Sequence, residues 1–181
     1  MDNLNIYIHA PLIEECRTGN SRAQFRLYNQ YSRAMYSLAY RILNNREDAE
    51  DVLQEAFVEC FRNLDTFRFE STFGAWLKRI VVNRCINQVK KKRADLEYTE
   101  TLPAVAEEQE DEPVYDTREI IKRIAELPDG YRIVLTLYLL EGYDHSEIAQ
   151  ILGISESTSK SQYSRAKDKL KSLLSNKIYH G

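Results

Sequence analysis

A chain of 181 residues with 43% hydrophobic side chains, 6 glycines and 4 prolines is rich in helix formers, which predicts an all-α fold of one large or two small domains with modest cores. The formal charge of −3 excludes indiscriminate attachment to nucleic acid, but the average hides an asymmetry. Arg62–Arg93 holds nine Lys or Arg against two acids, whereas Asp95–Asp116 holds nine acids and no base.

The first predicted element is a short helix over Pro11–Gly19, and Ser21-Arg-Ala-Gln24 reads as a capping box that starts the next. That second helix runs to about Leu43, with Phe25, Tyr28, Met35, Leu38, Ala39 and Ile42 as its buried stripe. Asn44-Asn45 breaks it before a third helix over Arg46–Leu64. There Ala49, Val52, Leu53, Ala56, Phe57, Cys60, Phe61 and Leu64 recur by threes and fours. Asp48, Asp51, Gln54, Glu55, Glu59 and Arg62 occupy the other side, by pattern alone a solvated charge face.

Residues 65–72, DTFRFEST, lack a helical period and read as a loop; Ser71 or Thr72 can cap a fourth helix from Phe73 to about Arg93. Trp76, Ile80, Asn83, Asn87 and Lys90 share one narrow stripe of it. Asparagine is a poor helix former, so two of them one turn apart, beside a tryptophan and the run Lys90–Arg93, require a reason. Amides can bond base edges, aromatics can stack on bases, and cations can hold phosphates. For Trp76 taken alone the expectation is core packing.

From about residue 95 to 116 the chain loses periodicity, turns acidic and contains Pro103 and Pro113, the composition of a linker. Thr117–Leu127 resumes a helical pattern through Ile120, Ile121, Ile124 and Leu127, Pro128-Asp-Gly130 reads as a turn, and Tyr131–Glu141 as a strongly apolar helix. Next comes a helix-turn-helix pattern. Asp144 or Ser146 can cap a short helix carrying Ile148, Ala149 and Leu152, Gly153 allows left-handed backbone, and Ser155 can cap a second helix with Glu156 in its first turn. On that helix Ser159, Tyr163, Ala166, Leu170 and Leu173 share the inner side. Thr158, Lys160, Ser161, Gln162, Ser164, Arg165 and Lys169 look outward, a mixture of hydroxyls, an amide and cations suited to a DNA major groove. Ser159, if buried, needs a partner such as a carbonyl one turn back.

Cys16, Cys60 and Cys85 are odd in number and set in apolar helical patterns, as expected of reduced core thiols. No zinc spacing appears, and His9, His145 and His180 read as surface imidazoles, so neither metal nor cofactor is expected. Asp144, His145 and Ser146 supply triad letters, but consecutive residues at a helix start point in different directions, and no catalytic role is expected. The N-terminus lacks a basic region followed by an apolar run, and no stretch is apolar enough to cross a bilayer, so a cytoplasmic location is expected.

Three stretches in this order, AEDVLQEAFVECFRNL, FRFESTFGAWLKRIVVNRCINQVKKKR and LPDGYRIVLTLYLLEGYDHSEIAQILGISESTSKSQYSRA, resemble the bacterial sigma factors of RNA polymerase. Phe25–Arg93 resembles their region two and Ile124–Leu174 their region four, with the acidic spacer replacing a middle domain as in the extracytoplasmic-function group. The resemblance implies two small helical domains, 1–94 and 117–181, joined by a flexible linker over 95–116. It implies that Asp51, Gln54 and Glu55 meet the clamp of the polymerase large subunit. Asn83 and Asn87, in one stripe with Trp76 and Lys90, then read the downstream promoter element as single strand, and the loop Arg68, Phe69, Glu70, Ser71, Thr72 and Phe73 pockets an extruded base. Lys160, Ser161, Ser164 and Arg165, flanked by Thr158 and Gln162, approach the upstream element. Ser159, and Gln162 where many members carry arginine, depart from the commonest pattern. The implied partners are core polymerase, promoter DNA and an anti-sigma factor such as the family often has. The alternative is a free-standing helix-turn-helix regulator with an N-terminal dimerisation or sensing domain.

Overall fold

The computed structural model describes residues 7–95 and 117–175; the expected linker, after Asp95, lies outside the described residues. Pro11 sits in the first turn of α1 (Ala10–Arg17), and Gly19 beyond it takes left-handed backbone at φ 79°. Asparagines then set the boundaries. The Asn20 side chain accepts from the backbone N–H of Arg22 and Ala23 at 3.0 and 3.2 Å, capping α2 (Ser21–Leu43). The cap therefore falls one residue before the expected Ser21, and Gln24 instead donates to the Cys16 carbonyl at 3.4 Å. Asn44 ends α2 in left-handed backbone at φ 51°, and Asn45 accepts from the Asp48 N–H at 3.0 Å to start α3 (Arg46–Arg62). Two adjacent asparagines thus make the whole corner.

α3 packs against both α2 and α4 (Phe73–Asp95). Its Ala49, Val52, Leu53, Ala56, Phe57 and Cys60 are buried together with Leu27, Leu38 and Ile42 of α2 and Leu77, Val81, Cys85 and Ile86 of α4. Phe25 departs from the expected stripe at 64% exposed. It lies two residues from both Ala23 and Leu27, which are buried, and two residues on a helix turn about 200°. α3 ends at Arg62 rather than Leu64; Leu64–Thr66 forms one 3₁₀ turn that buries Leu64. Thr72 Oγ1 accepts from the Ala75 N–H at 3.2 Å, capping α4 as expected.

The chain divides after Asp95 into two compact units. In the second, Ile124 of α5 (Thr117–Ala125), Leu127, Leu135 of α6 (Asp129–Leu135), and Ala166, Leu170 and Leu174 of α8 (Glu156–Ser175) form the core. Ile121, expected in this stripe, is exposed. Pro128-Asp-Gly130 is not a separate turn: Pro128 occupies the N-cap position at φ −53° and ψ 147°, so Asp129 and Gly130 already belong to α6. The acid gains there from the helix dipole. Arg132, only 5% exposed, donates through Nη1 to the Leu127 carbonyl at 3.0 Å and through Nη2 to Asp129 Oδ1 at 2.6 Å. This pairing ties the end of α5 to the start of α6.

The expected single helix Tyr131–Glu141 widens into a π turn over Thr136–Leu140, with the Glu141 N–H on the Thr136 carbonyl at 3.1 Å. Tyr138, Leu139 and Leu140 emerge on the surface. α7 (His145–Leu152) and α8 complete the unit. Among the described residues there is no strand, and no helix is long and apolar enough to cross a membrane.

Desolvation pushes the Cys60 and Cys85 thiols up to about 12 and raises that of Cys16. In the native protein they should therefore react with iodoacetamide near about pH 8 at least ~10-fold more slowly than in urea, which mass spectrometry can follow. The same shift has a pH signature. A raised native pKa leaves stability unchanged below the ordinary value of 9.0 and lowers it as pH climbs toward about 12, because there only the unfolded chain has released its protons.

Candidate nucleic-acid and polymerase interfaces

α4 carries two polar stripes one residue out of phase. Arg84 donates through Nε to Glu59 Oε2 at 2.6 Å and through Nη1 to Glu55 Oε2 at 2.8 Å, Gln88 donates to Asp48 Oδ1 at 3.2 Å, and Lys92 pairs with Asp48 Oδ2. These groups at i, i+4 and i+8 are engaged with α3. Asn83 and Asn87, each one residue earlier, are exposed, as is Lys90. Trp76 and Ile80 extend the outward stripe but are half-buried. Trp76 rests on Phe67 and Phe73 with ring centroids at 5.3 and 5.8 Å, so one part of it packs as expected of a core residue and another reaches the surface.

The loop before α4 brings its aromatics together. Phe67 is buried and lies 4.7 Å from Phe69 and 5.8 Å from Phe73 by ring centroids. Phe69 is half-buried and holds φ at 57°, the left-handed region that a bulky side chain rarely adopts. Arg68, Glu70 and Thr72 are exposed and Ser71 is half-buried. Phe73 is a correction: it is fully buried against Tyr31, Phe67 and Trp76 and forms the floor of the loop, not a contact surface. A Cβ on Gly74 would meet the Tyr31 ring at 3.0 Å, so glycine lets that ring close against the start of α4.

On the outer face of α3, Asp51, Gln54 and Glu55 are exposed. They are not equivalent, because Glu55 also pairs with Arg84.

In the second unit Asp144 caps α7 through a full capping box: its Oδ1 accepts from the Glu147 N–H at 2.8 Å, and Glu147 Oε2 accepts from the Asp144 N–H at 2.9 Å. Gly153 supplies the left-handed turn at φ 71°, and Ser155 Oγ accepts from the Thr158 N–H at 3.1 Å to start α8. Lys160, Ser161, Ser164 and Arg165 stand exposed on one side of α8, with Thr158 and Gln162 half-buried beside them. The Thr158 hydroxyl shares the cap with Ser155 at 2.8 Å, and Lys160 pairs with Glu156 at 2.6 Å, which raises its pKa.

The inner side of α8 corrects two expectations. Ser159 is fully buried, and its hydroxyl meets His145 Nδ1 at 2.9 Å rather than a carbonyl one turn back. His145 is accordingly no surface imidazole. It stacks on Tyr138 at 4.5 Å and meets Tyr163 edge-on at 5.5 Å. Pattern reading missed this cluster because its members lie on three separate elements; the only local hint was a serine where the period demands an inward side chain.

Two separate helical units, the second built around a helix-turn-helix, define a bipartite DNA-binding protein. Residues 27–94 match the family model described as Sigma-70 region 2, and residues 117–170 match Sigma-70, region 4. The chain is 30% identical over 176 residues to the ECF RNA polymerase sigma factor SigW of Bacillus subtilis, covering 90% of this chain and 94% of that one. It is 32% identical over 171 residues to the ECF RNA polymerase sigma-E factor of Escherichia coli, covering 87% and 89%. Among solved structures it is similar to CnrH in complex with the cytosolic domain of CnrY, with a TM-score of 0.54 and 26% identity over 91% of this chain and 96% of that one. RpoE from Bartonella quintana, in complex with the anti-sigma factor NepR, shares the fold at a TM-score of 0.57 and 24% identity, over 83% and 95%. The chain belongs to the sigma-70 family, in its extracytoplasmic-function group. It is therefore a specificity subunit of RNA polymerase that acts at promoters, not a free-standing regulator.

The buried hydroxyl–imidazole contact is testable without DNA. Ser159→Ala should lower stability by roughly 1 kcal/mol in a urea titration, the usual worth of one hydrogen bond. His145→Ala should cost more, because it also removes two aromatic contacts.

Proposed function

We propose that the first unit docks on core polymerase through the outer face of α3 and captures the unpaired downstream promoter strand on α4 and the preceding loop. The second unit reads the duplex upstream element through α8. The observation that carries this reading is the phase difference on α4: Arg84, Gln88 and Lys92 are engaged with α3, whereas Asn83 and Asn87 present their amides to solvent. Buried asparagines would have excluded it. In this reading Asn83, Asn87 and Lys90 contact the strand, Trp76 offers its open side for stacking, and Arg68 to Thr72 surround the extruded base above the Phe73 floor. Lys160, Ser161, Ser164 and Arg165, with Gln162 and Thr158 at the margin, enter the major groove. Residues 95–116 tether the two.

The proposed mechanism is recognition coupled to strand opening, without bond chemistry by this chain and in the cytoplasm. Extruding a base costs a few kcal/mol, which contacts available only to the extruded base offset. Joint attachment to polymerase makes the second DNA contact effectively intramolecular, so neither unit alone should suffice. CnrH and RpoE were each solved with a partner protein, which supports an anti-sigma factor as a third partner here.

The test is promoter-dependent transcription by core polymerase supplemented with the purified chain. Asn83→Ala combined with Asn87→Ala should reduce open-complex formation about 10-fold or more, each base contact being worth about 1 to 3 kcal/mol, while polymerase affinity stays constant. Asp51→Ala with Gln54→Ala should do the reverse, weakening polymerase binding and sparing promoter choice. Asp51 and Gln54 are cleaner probes than Glu55, whose loss would also disturb Arg84.

A further inference from the structure

We infer that Arg17, on α1, is a positioning residue that holds the loop before α4 in its base-capturing shape. The inference rests on the proposed role of that loop and extends it to a helix outside residues 27–94, which match region 2. Arg17, the last residue of α1, reaches two carbonyls, a carboxylate and an aromatic ring at the approach to the loop. Arg17 Nε and Nη2 both donate to the Leu64 carbonyl, at 3.3 and 3.2 Å, and Nη2 also donates to the Phe67 carbonyl. Nη1 pairs with Glu14 at 2.6 Å, and Asp65 lies at 4.0 Å. The guanidinium carbon sits 5.6 Å from the centre of the Phe69 ring. Tyr7 stacks on the same ring, centroids 5.5 Å apart and planes at 24°.

The physical need is set by Phe69. A phenylalanine at φ 57° persists in left-handed backbone only when its surroundings over-determine it. Arg17 fixes the chain on the approach to it through two carbonyls and places a cation against its ring. Only a planar fork of five donors can serve two carbonyls and a carboxylate at once while laying a face near an aromatic ring. A lysine would keep the charge and lose the fork.

The experiment uses the full-length chain in holoenzyme on a duplex promoter carrying 2-aminopurine at successive positions of the downstream element. It compares wild type, R17M, R17K, F69A and R17M/F69A for the rate of opening, the fluorescence of the extruded base, core-polymerase affinity and melting temperature. The expected result is that R17M and R17K each slow opening about 10-fold or more and dim the extrusion signal, since a small misplacement of a positioned group can cost up to about 10²-fold. Core affinity should be unchanged, and R17M/F69A should be no slower than F69A. If R17M fails to fold, R17K decides, because it retains the stem and charge. Wild-type opening by a folded R17K, or additive defects in R17M/F69A, would overturn the inference while an F69A defect leaves the loop's role intact. Wild-type opening by F69A would show that the ring braced by Arg17 is not needed for capture, and would overturn the inference while leaving the rest of the loop's role standing.

Discussion

On the proposed reading, the presentation of the first unit to DNA depends on the rotation of α4 about its own axis, which its buried face sets and three acids on α3 reinforce. Asp48, Glu55 and Glu59 take Arg84, Gln88 and Lys92, which recur every four residues. A turn of about 100° would bring Asn83 and Asn87 against α3 and send the cations to solvent. The energy that keeps the helices together comes from elsewhere, since exposed ion pairs are worth about 0 to 1 kcal/mol each. Burial of Leu77, Val81, Cys85 and Ile86 against the α3 stripe supplies the attraction. The apolar seam both stabilises the packing and sets the rotation, and the polar ladder reinforces it.

The second unit solves the same problem with buried polar contacts. Arg132 joins Asp129 to the Leu127 carbonyl at the α5–α6 corner, and Ser159 joins α8 to His145 at the start of α7. Such groups are costly if left unpaired in a low-dielectric interior, so they admit few alternative packings. On the proposed reading α8 has to be aimed at base edges, and the buried Ser159 hydroxyl on His145 penalises its misalignment. The π turn at Thr136–Leu140 contributes by swinging Tyr138 over the His145 ring.

On the proposed division of labour, the side chains described above act through shape, packing and hydrogen bonding. The neutral thiols of Cys60 and Cys85 serve as small apolar fillers, and His145 serves as a packing and hydrogen-bonding group. On that reading, capture of an unpaired strand favours a loop shaped before the base arrives, and Phe69 at φ 57° with the contacts around it would supply that shape.

Much of this was legible before any coordinates. The period of Ala49 to Cys60 placed α3, Asn44-Asn45 placed the corner, and Asp144, Gly153 and Ser155 placed the caps and turn of the helix-turn-helix, because each depends on residues within one or two turns. At Phe25, the Pro128 corner and the π turn, packing or backbone geometry overrides the local pattern. By itself the sequence determined the helices, their order, the family and which side chains share a stripe. Only the tertiary structure decided which stripe is taken up inside the protein: a period distributes groups around an axis but cannot say which neighbour will pair with them. Arg17 and the Leu64 and Phe67 carbonyls it holds are 47 and 50 residues apart, and no local rule connects them until the helices pack.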